Sequence, residues 1–479
     1  MQDLPESYRQ LFRIISEAVS ELGQKTYVIG GLVRDYYLRR IDPGHTYDID
    51  LVTVGSGIRA AEAVAEKLGT DKIATYRRFG TARVTYRHFV LEFVGARRES
   101  YRSDSRKPIV EDGTLTDDQY RRDFTINALS WSLNPEDYGQ LNDPFHGMRD
   151  LENETIRTPV DPVRTFSDDP LRMMRAIRFA SQLHFSIDPD TKKGITESAE
   201  RLDIVSRERI ADELNKIVMS DLPSIGFQLM LDTGLLKRVL PELCDLQGVE
   251  EVHGIRHKDN FWHTLKVLDN VAMVSDNLWL RWAAILHDIA KPATKRFHPK
   301  QGWTFHGHDA VGARMVGAIF RRIGLPLDER MRYVKKLVRL HLRPIALVDE
   351  IVTDSAVRRL LFDAGDDIED LMTLCRADIT SKNDRKVKQY LQNFDLVEKK
   401  IAEVEEKDRI RNWKPPIGGE EIMEICGIGP GREVGTIKSM IQEAILSGTI
   451  ANSREEAIAY LHSIKDSVLN NRQSRNHNQ

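Results

Sequence analysis

The 479-residue sequence predicts an α+β protein: an α/β head followed by an almost wholly helical remainder. Two patterns carry that expectation. Short β-rich apolar runs cluster at the start, at Tyr27–Ile29, Ile49–Val54, Arg83–Tyr86 and Phe89–Val94, and alternate with helical stretches such as Ile58–Leu68. From Pro170 onward, apolar residues recur at helical spacing, near 205–220, 224–240, 260–275, 278–290, 309–323, 328–342 and 355–362. A third observation sets the scale. Apolar content of 41% and charged content of 30% fit a soluble globular chain, and the length implies several domains.

Taken in order, Thr26–Ile29 reads as a strand, and Gly30-Gly31 as a turn where the backbone can approach a ligand closely. Val33–Leu38 follows as a helix, and Tyr47–Val54 as a second strand. Asp48 and Asp50 lie two residues apart on that strand, so they project from one face. Adjacent carboxylates repel unless neutralised, which a hard divalent cation such as Mg²⁺ does. Backbone N–H groups of a glycine turn beside that cation suit a nucleoside triphosphate. Either feature alone also fits a plain turn or a solvated face; their order is far more specific.

A charge-rich stretch from Arg97 to Tyr120 precedes Arg121-Arg122-Asp123-Phe124-Thr125-Ile126-Asn127. Arg122 is a candidate for the triphosphate, and Asp123 or Asn127 for the ribose. Asp143 to Asp150 reads as a turn with charged ends. Asp169-Pro170 reads as a helix start, with Asp as cap and Pro in the first turn. Arg172, Arg175 and Arg178 then recur every three residues along one side of that helix. Arginine offers planar, multi-donor recognition of phosphates and base edges. Asp169 accepting from an exocyclic amine, with Arg172 donating to a ring nitrogen, would accept C and A and reject U and G. Each lost contact in a dry pocket costs about 1–3 kcal/mol. Arg175 and Arg178 could hold phosphates or a second base edge.

These motifs, spread over residues 26–215, resemble the polymerase-β-like nucleotidyltransferases, and within them the class II tRNA nucleotidyltransferases, which include CCA-adding enzymes and bacterial poly(A) polymerases. The resemblance rests on Gly-Gly-x-Val-Arg-Asp with Asp-x-Asp, Arg-Arg-Asp-Phe-Thr-Ile-Asn-Ala, Asp-x-x-x-Gly-x-x-x-Asp, and acid-Asp-x-x-Arg. Ser206 to Glu213 resembles a further motif, expected to support the neck. Asp168 departs from the Glu common in the family, a conservative change. The resemblance implies that Asp48 and Asp50 hold the catalytic Mg²⁺ ions, with Glu92 as candidate third carboxylate. It implies that Gly30, Gly31, Arg34, Arg122, Asp123 and Asn127 bind the nucleotide, while Asp169, Arg172, Arg175 and Arg178 form a protein template. The reaction would be attack of the tRNA 3′ hydroxyl on the α-phosphate of CTP or ATP. The long Arg97–Tyr120 segment favours CCA or A addition, because CC-adding members lack a flexible segment there. Addition of A alone, or poly(A) synthesis, is the alternative.

In the helical half, His263, His287-Asp288, His308, His341 and Asp378 match the ligand pattern of an HD phosphohydrolase domain. Mixed imidazole and carboxylate ligands suit Mn, Ni, Fe or Zn. Lys291 is a candidate phosphate contact. An HD phosphohydrolase with a degenerate head is the reading from another class, and the intact Asp48, Asp50 and Arg122 oppose it. Expected domains are a head at 1–160, a neck at 161–245, an HD body at 246–400, and a tRNA-contacting tail at 401–479. Trp413 to Gly419 reads as a linker or domain start, and 472–479 as a disordered end. A basic stripe (Arg332, Lys336, Arg339, Arg343) and the glycine turn Gly427–Gly435 are candidate tRNA contacts. Net charge is −3, so any nucleic-acid surface must be local. Three scattered cysteines (Cys244, Cys375, Cys426) suggest a reducing, cytoplasmic setting. No apolar run is long enough for a membrane, and no signal peptide is expected.

Overall fold

The computed structural model describes residues 1–41, 48–100, 109–249, 251–252, 255–256, 259–349, 353–380, 384–408 and 413–476. The fold is α+β, as expected. It divides into two units, Met1–Cys244 and Asp245–Gln479.

The first unit is built on a seven-stranded sheet. After α1 (Glu6–Glu21) come β1 (Lys25–Ile29), α2 (Gly31–Tyr37), β2 (Asp48–Val54), α3 (Gly57–Leu68), β3 (Ile73–Tyr76), β4 (Thr81–Tyr86) and β5 (Phe89–Gly95). β6 (Arg97–Ser100) and β7 (Ile109–Asp112) form a separate hairpin, followed by α4 (Leu115–Tyr120), β8 (Ser130–Ser132) and β9 (Leu141–Asn142). The sheet order is β3-β4-β5-β2-β1-β8-β9, with β2 and β5 parallel at its centre. The expected flexible segment thus contains a hairpin and a helix; its middle, like Tyr47, lies outside the described residues.

Helical packing then takes over. α5 (Gly147–Glu152) leads to α6 (Pro162–Asp168) and α7 (Leu171–Leu183). As expected, a helix starts at Asp169-Pro170: α7 begins at Leu171, and the Asp169 carboxylate accepts from Leu171 N–H at 3.2 Å. Asp161-Pro162 starts α6 in a similar way, the Asp161 side chain accepting from Arg164 N–H. α7 buries Met173, Met174, Ile177 and Ala180. α8 (Pro189–Ser198) and α9 (Arg207–Val218) follow. The stretch near 224–240 is helical as its spacing suggests, in two helices that Gly234, with φ of +77°, separates.

The second unit is helical apart from short β pairs. Its helices include Asn260–Ala272, Leu278–Leu286, His308–Ile323, Glu329–Leu340 and Ile368–Asp378. The C-terminal helices have their own core of Ile417, Ile422, Val434, Ile437, Ile441, Ile445 and Leu461, against which Trp413 packs. Trp413 to Gly419 thus leads into this C-terminal helical cluster. The end of the chain corrects the expectation of disorder from Arg472: the helix Arg454–Asn476 runs to Asn476, with 477–479 outside the described residues. Among the described residues, no helix is long and apolar enough to cross a membrane.

Candidate active site and candidate metal centre

The alternation along β2 sorts its side chains. Ile49 and Leu51 are fully buried, while Asp48 and Asp50 take the other face. Register places Glu92 of β5 beside Asp50, and Arg83 of β4 beside Glu92. Paired residues share a face, so three carboxylates and one guanidinium form a row. Burial pushes the Asp50 carboxyl up, Arg122 opposes that, and Asp48 adds to it. Burial likewise raises Glu92, reinforced by Asp50 and Asp48. Arg83 offers partial relief, at 3.8 Å from Asp48 and 4.0 Å from Glu92. Three carboxylates in one row, two of them held protonation-prone by burial and by their neighbours, fit a hard divalent cation.

Gly30 ends β1 with φ +86°, and a Cβ there would meet Asp50 Oδ2 at 3.2 Å and an Arg122 nitrogen at 3.3 Å. The positive φ favours glycine, and a side chain would also press on both groups. Gly31 opens α2, which turns Arg34 inward. Arg34 donates to Asp35 and to the Asn127 side-chain oxygen, each at 2.8 Å. Asn127 donates to Asp123 Oδ1 at 3.1 Å, and Arg175 donates to Asp123 Oδ2 at 2.7 Å. One network thus joins the glycine turn to α7. Burial alone would raise the Asp123 carboxyl, but Arg175 and Asn127 overcome it and hold it at about 2. Arg122 donates to Asp118 at 3.3 Å, and Arg121 pairs with the same carboxylate.

The arginines of α7 are held differently from one another. Arg172 donates to the carbonyls of Thr165 at 3.3 Å and Arg121 at 2.5 Å. Asp169 pairs with Arg209 of α9 at 3.1 Å, so its partner is not Arg172. Arg178 is buried against Glu213 of α9 at 3.0 Å, and burial lowers it to about 10. Glu213 therefore supports the helix, as its motif suggested, and Arg178 faces inward rather than toward a phosphate. Three side chains escaped the sequence reading. Asp118 is fully buried and anchors Arg122. Phe179 lies under three guanidiniums, Arg34, Arg175 and Arg178, at 5.0, 5.4 and 4.3 Å. Arg83 is the third. Asp118 at four before Arg122, and Phe179 at four after Arg175, were findable from helical spacing.

The Asp143–Asp150 motif clamps the loop behind Asn127. Asp143 accepts from Gly147 and Met148 N–H, and Asp150 accepts from Thr125 Oγ1 at 2.7 Å.

In the second unit, all six expected residues converge. His263, His287 and Asp378 form one ligand triad; Asp288, His308 and His341 form another. Asp288 joins them: its Oδ2 is 3.2 Å from His287 Nε2, and its Oδ1 is 3.2 Å from His308 Nε2. The Nδ1–H groups of His287, His308 and His341 donate to the carbonyls of Ala284, Phe305 and Val338. Those bonds fix the tautomer and aim each Nε2 lone pair inward. His263 uses Thr380 Oγ1 instead, at 2.8 Å. The inward Nε2 atoms of His287, His308 and His341 are buried without a hydrogen-bond partner, as metal ligands would be. Burial opposes charge on His287, yet Asp288 and Asp378 outweigh it and push the imidazole up to about 10. The cage favours positive charge at its centre, and its donor set fits a transition metal. Lys291 Nζ lies 2.5 Å from Asp288 Oδ2.

The basic stripe is largely neutralised. Lys336 pairs with Asp367 at 2.5 Å, Arg339 with Asp309, and Arg343 with Asp363. The glycine turn splits into two caps: Gly427 closes one helix and Gly431 opens the next, Arg432–Ser447.

A glycine turn beside clustered carboxylates, tied by one hydrogen-bond network to an arginine-bearing helix, marks the first unit as a nucleotidyltransferase. Comparison with known proteins agrees. Residues 26–157 match the Poly A polymerase head domain, 184–246 match the family described as a probable RNA and SrmB-binding site of polymerase A, and 260–383 match the HD domain. An A-adding tRNA nucleotidyltransferase of Deinococcus radiodurans is 32% identical, over 71% of this chain and 77% of its own. A multifunctional CCA protein of Shewanella frigidimarina is 30% identical over 75% and 84%. A CC-adding tRNA nucleotidyltransferase of Thermus thermophilus is 29% identical over 91% and 92%. The fold is shared with the Thermotoga maritima CCA-adding enzyme complexed with tRNA, at TM-score 0.60, 21% identity and 96% of each chain. The chain belongs to the tRNA nucleotidyltransferase family that shares its head with poly(A) polymerases.

Proposed function

We propose that this enzyme completes tRNA 3′ ends with CCA, using CTP and ATP without a nucleic-acid template and releasing pyrophosphate. The observation that carries the reading is the network from Arg34 through Asn127 and Asp123 to Arg175, which joins a triphosphate turn to the arginine face of α7. In this reading Asp48, Asp50 and Glu92 hold Mg²⁺. Bound there, the ions supply Lewis-acid charge to the attacking hydroxyl and to the leaving pyrophosphate. Gly30 and Gly31 let the backbone approach the triphosphate, and Arg34 and Arg122 balance its charge. Asn127 and Asp123 face the ribose. Asp169 and Arg172 read the base edge, with Arg175 beside them and Arg178 bracing the helix from within.

Addition of A alone is the second reading, favoured by the name of the Deinococcus relative. The test uses tRNA ending before CCA, Mg²⁺, and labelled CTP or ATP. Incorporation of C followed by A is expected. Incorporation of A alone on tRNA ending in CC supports the second reading, and no incorporation at all sinks both.

For the helical unit we propose a metal-dependent phosphohydrolase acting on phosphate esters such as those at RNA ends. His263, His287, Asp288, His308, His341 and Asp378 would hold the metal, and Lys291 would orient the phosphate.

A further inference from the structure

In-line transfer requires the nucleophile to approach the α-phosphate opposite the leaving pyrophosphate. The proposed triphosphate ligands all lie on one flank of the carboxylates: Gly30 at the end of β1, Arg34 on α2, and Arg122 and Asn127 before β8. The opposite flank, β5-β4-β3, is where the tRNA 3′ end must enter. That flank carries a turn no motif explains, Tyr76-Arg77-Arg78-Phe79, which joins edge strand β3 to β4.

Every residue of this turn is exposed, including two large aromatics, Tyr76 at 49% and Phe79 at 62%. Among the described residues, no carboxylate pairs with Arg77 or Arg78. The Arg78 guanidinium lies over the Phe79 ring at 5.9 Å, and Arg97 donates to the Phe79 carbonyl at 3.4 Å. Register fixes the direction. Tyr76 pairs with Thr81, two residues from Arg83, so Tyr76 shares a face with Arg83, Glu92, Asp50 and Asp48. From Glu92, Tyr76 is two strands across, ~10 Å, and two residues along, ~7 Å. A single strand of a few nucleotides spans that gap.

We infer that the Tyr76–Phe79 turn is a landing platform for the single-stranded 3′ end of the tRNA. The two rings stack on bases, which tolerates any sequence, and the two arginines meet phosphates. Arg83 then lies on the path between the platform and the carboxylates. The inference rests on the proposed 3′-end extension. The competing occupant of an exposed edge strand is a second copy of the chain.

The experiment compares the full-length wild-type enzyme with Tyr76→Ala/Phe79→Ala and Arg77→Ala/Arg78→Ala variants. Equilibrium tRNA binding is measured in an Asp48→Asn background, independent of turnover; steady-state kinetics and sedimentation use the active enzyme. Losing the aromatics should weaken tRNA binding about tenfold or more, while CTP and ATP KM stay within about twofold. Losing the arginines should flatten the salt dependence of binding by roughly 1.4 in log–log slope. Unchanged affinity and slope overturn the platform. A change in oligomeric state with unchanged tRNA affinity overturns it in favour of a chain–chain contact. A wild type that binds tRNA through this turn but incorporates no nucleotide defeats the proposed function and leaves the platform standing.

Discussion

The two candidate metal sites solve the same electrostatic problem in opposite ways. In the head, carboxylates stand at the surface of a sheet; the Asp48 side chain is 68% exposed. Their repulsion is eased by Arg83 and Arg122, and the surroundings are shared among strands, loops and a helix. In the helical unit, the Asp288 side chain is 2% exposed and surrounded by imidazoles whose orientation is locked by backbone carbonyls. An open site can admit a triphosphate and an RNA end and release both products. A closed cage is shaped for ions and for whatever small group reaches them. Burial and second partners, more than ligand identity, separate the open carboxylate row from the closed histidine cluster.

The largest expected effect breaks the two apart. Asp50→Ala should lower nucleotide incorporation at least about 10³-fold, the scale of several kcal/mol of lost charge stabilisation. Metal content of the helical unit, measured by elemental analysis after dialysis, should not change. Asp288→Ala should do the reverse, stripping transition metal to background and abolishing phosphate-ester hydrolysis. Incorporation should stay within about twofold of wild type. If Asp288→Ala costs as much incorporation as Asp50→Ala, the sites are not independent.

How much of this was legible in the sequence follows the same division. Strand alternation gave Asp48 and Asp50 a common face, and register sets the expected Glu92 beside Asp50. The six cage ligands converge although 115 positions separate His263 from Asp378, because His-Asp adjacency at a buried helix end is a rare pattern. What stayed hidden was pairing. Arg172, Arg175 and Arg178 look equivalent at three-residue spacing, yet α7 presents them to a carbonyl pair, a buried aspartate and a buried glutamate. Those partners come from α6, the loop after α4, and α9, which no periodicity connects. The stripe at Arg332 to Arg343 misled for the same reason: its acids arrive from other helices. Tyr76 and Phe79 belong to no motif, and their exposure is a tertiary property that no pattern in the chain marks.

The next effect sharpens the comparison within the head. Asp123 is buried and held at about 2 by Arg175 and Asn127, below its ordinary value. A depressed carboxyl contributes stability above its unfolded value, near 4, that is lost as pH falls toward 2. The loss should amount to about 2 kcal/mol. Asp123→Asn should therefore cost roughly that much at pH 7, about half as much near pH 3 and little at pH 2, as measured by urea unfolding across that range. An equal cost at both ends would show that the network depends on shape rather than charge.

The smallest effect tests whether the head's openness is paid for by aromatic rather than ionic restraint. Phe179 is buried beneath three guanidiniums that the acids only partly hold. Each such contact is worth about 0.5–1 kcal/mol where partly solvated. Phe179→Leu keeps the apolar volume and removes the ring face, so folding should be nearly unchanged. KM for CTP and ATP should rise about two- to fivefold with little change in kcat, because the arginines lose alignment before the chemical step. Phe179→Tyr should restore wild-type values, since it keeps the ring. If Phe179→Leu behaves as wild type while Phe179→Ala unfolds, the ring is packing alone. The three arginines would then be ordered by their acids, as the cage histidines are ordered by their carbonyls.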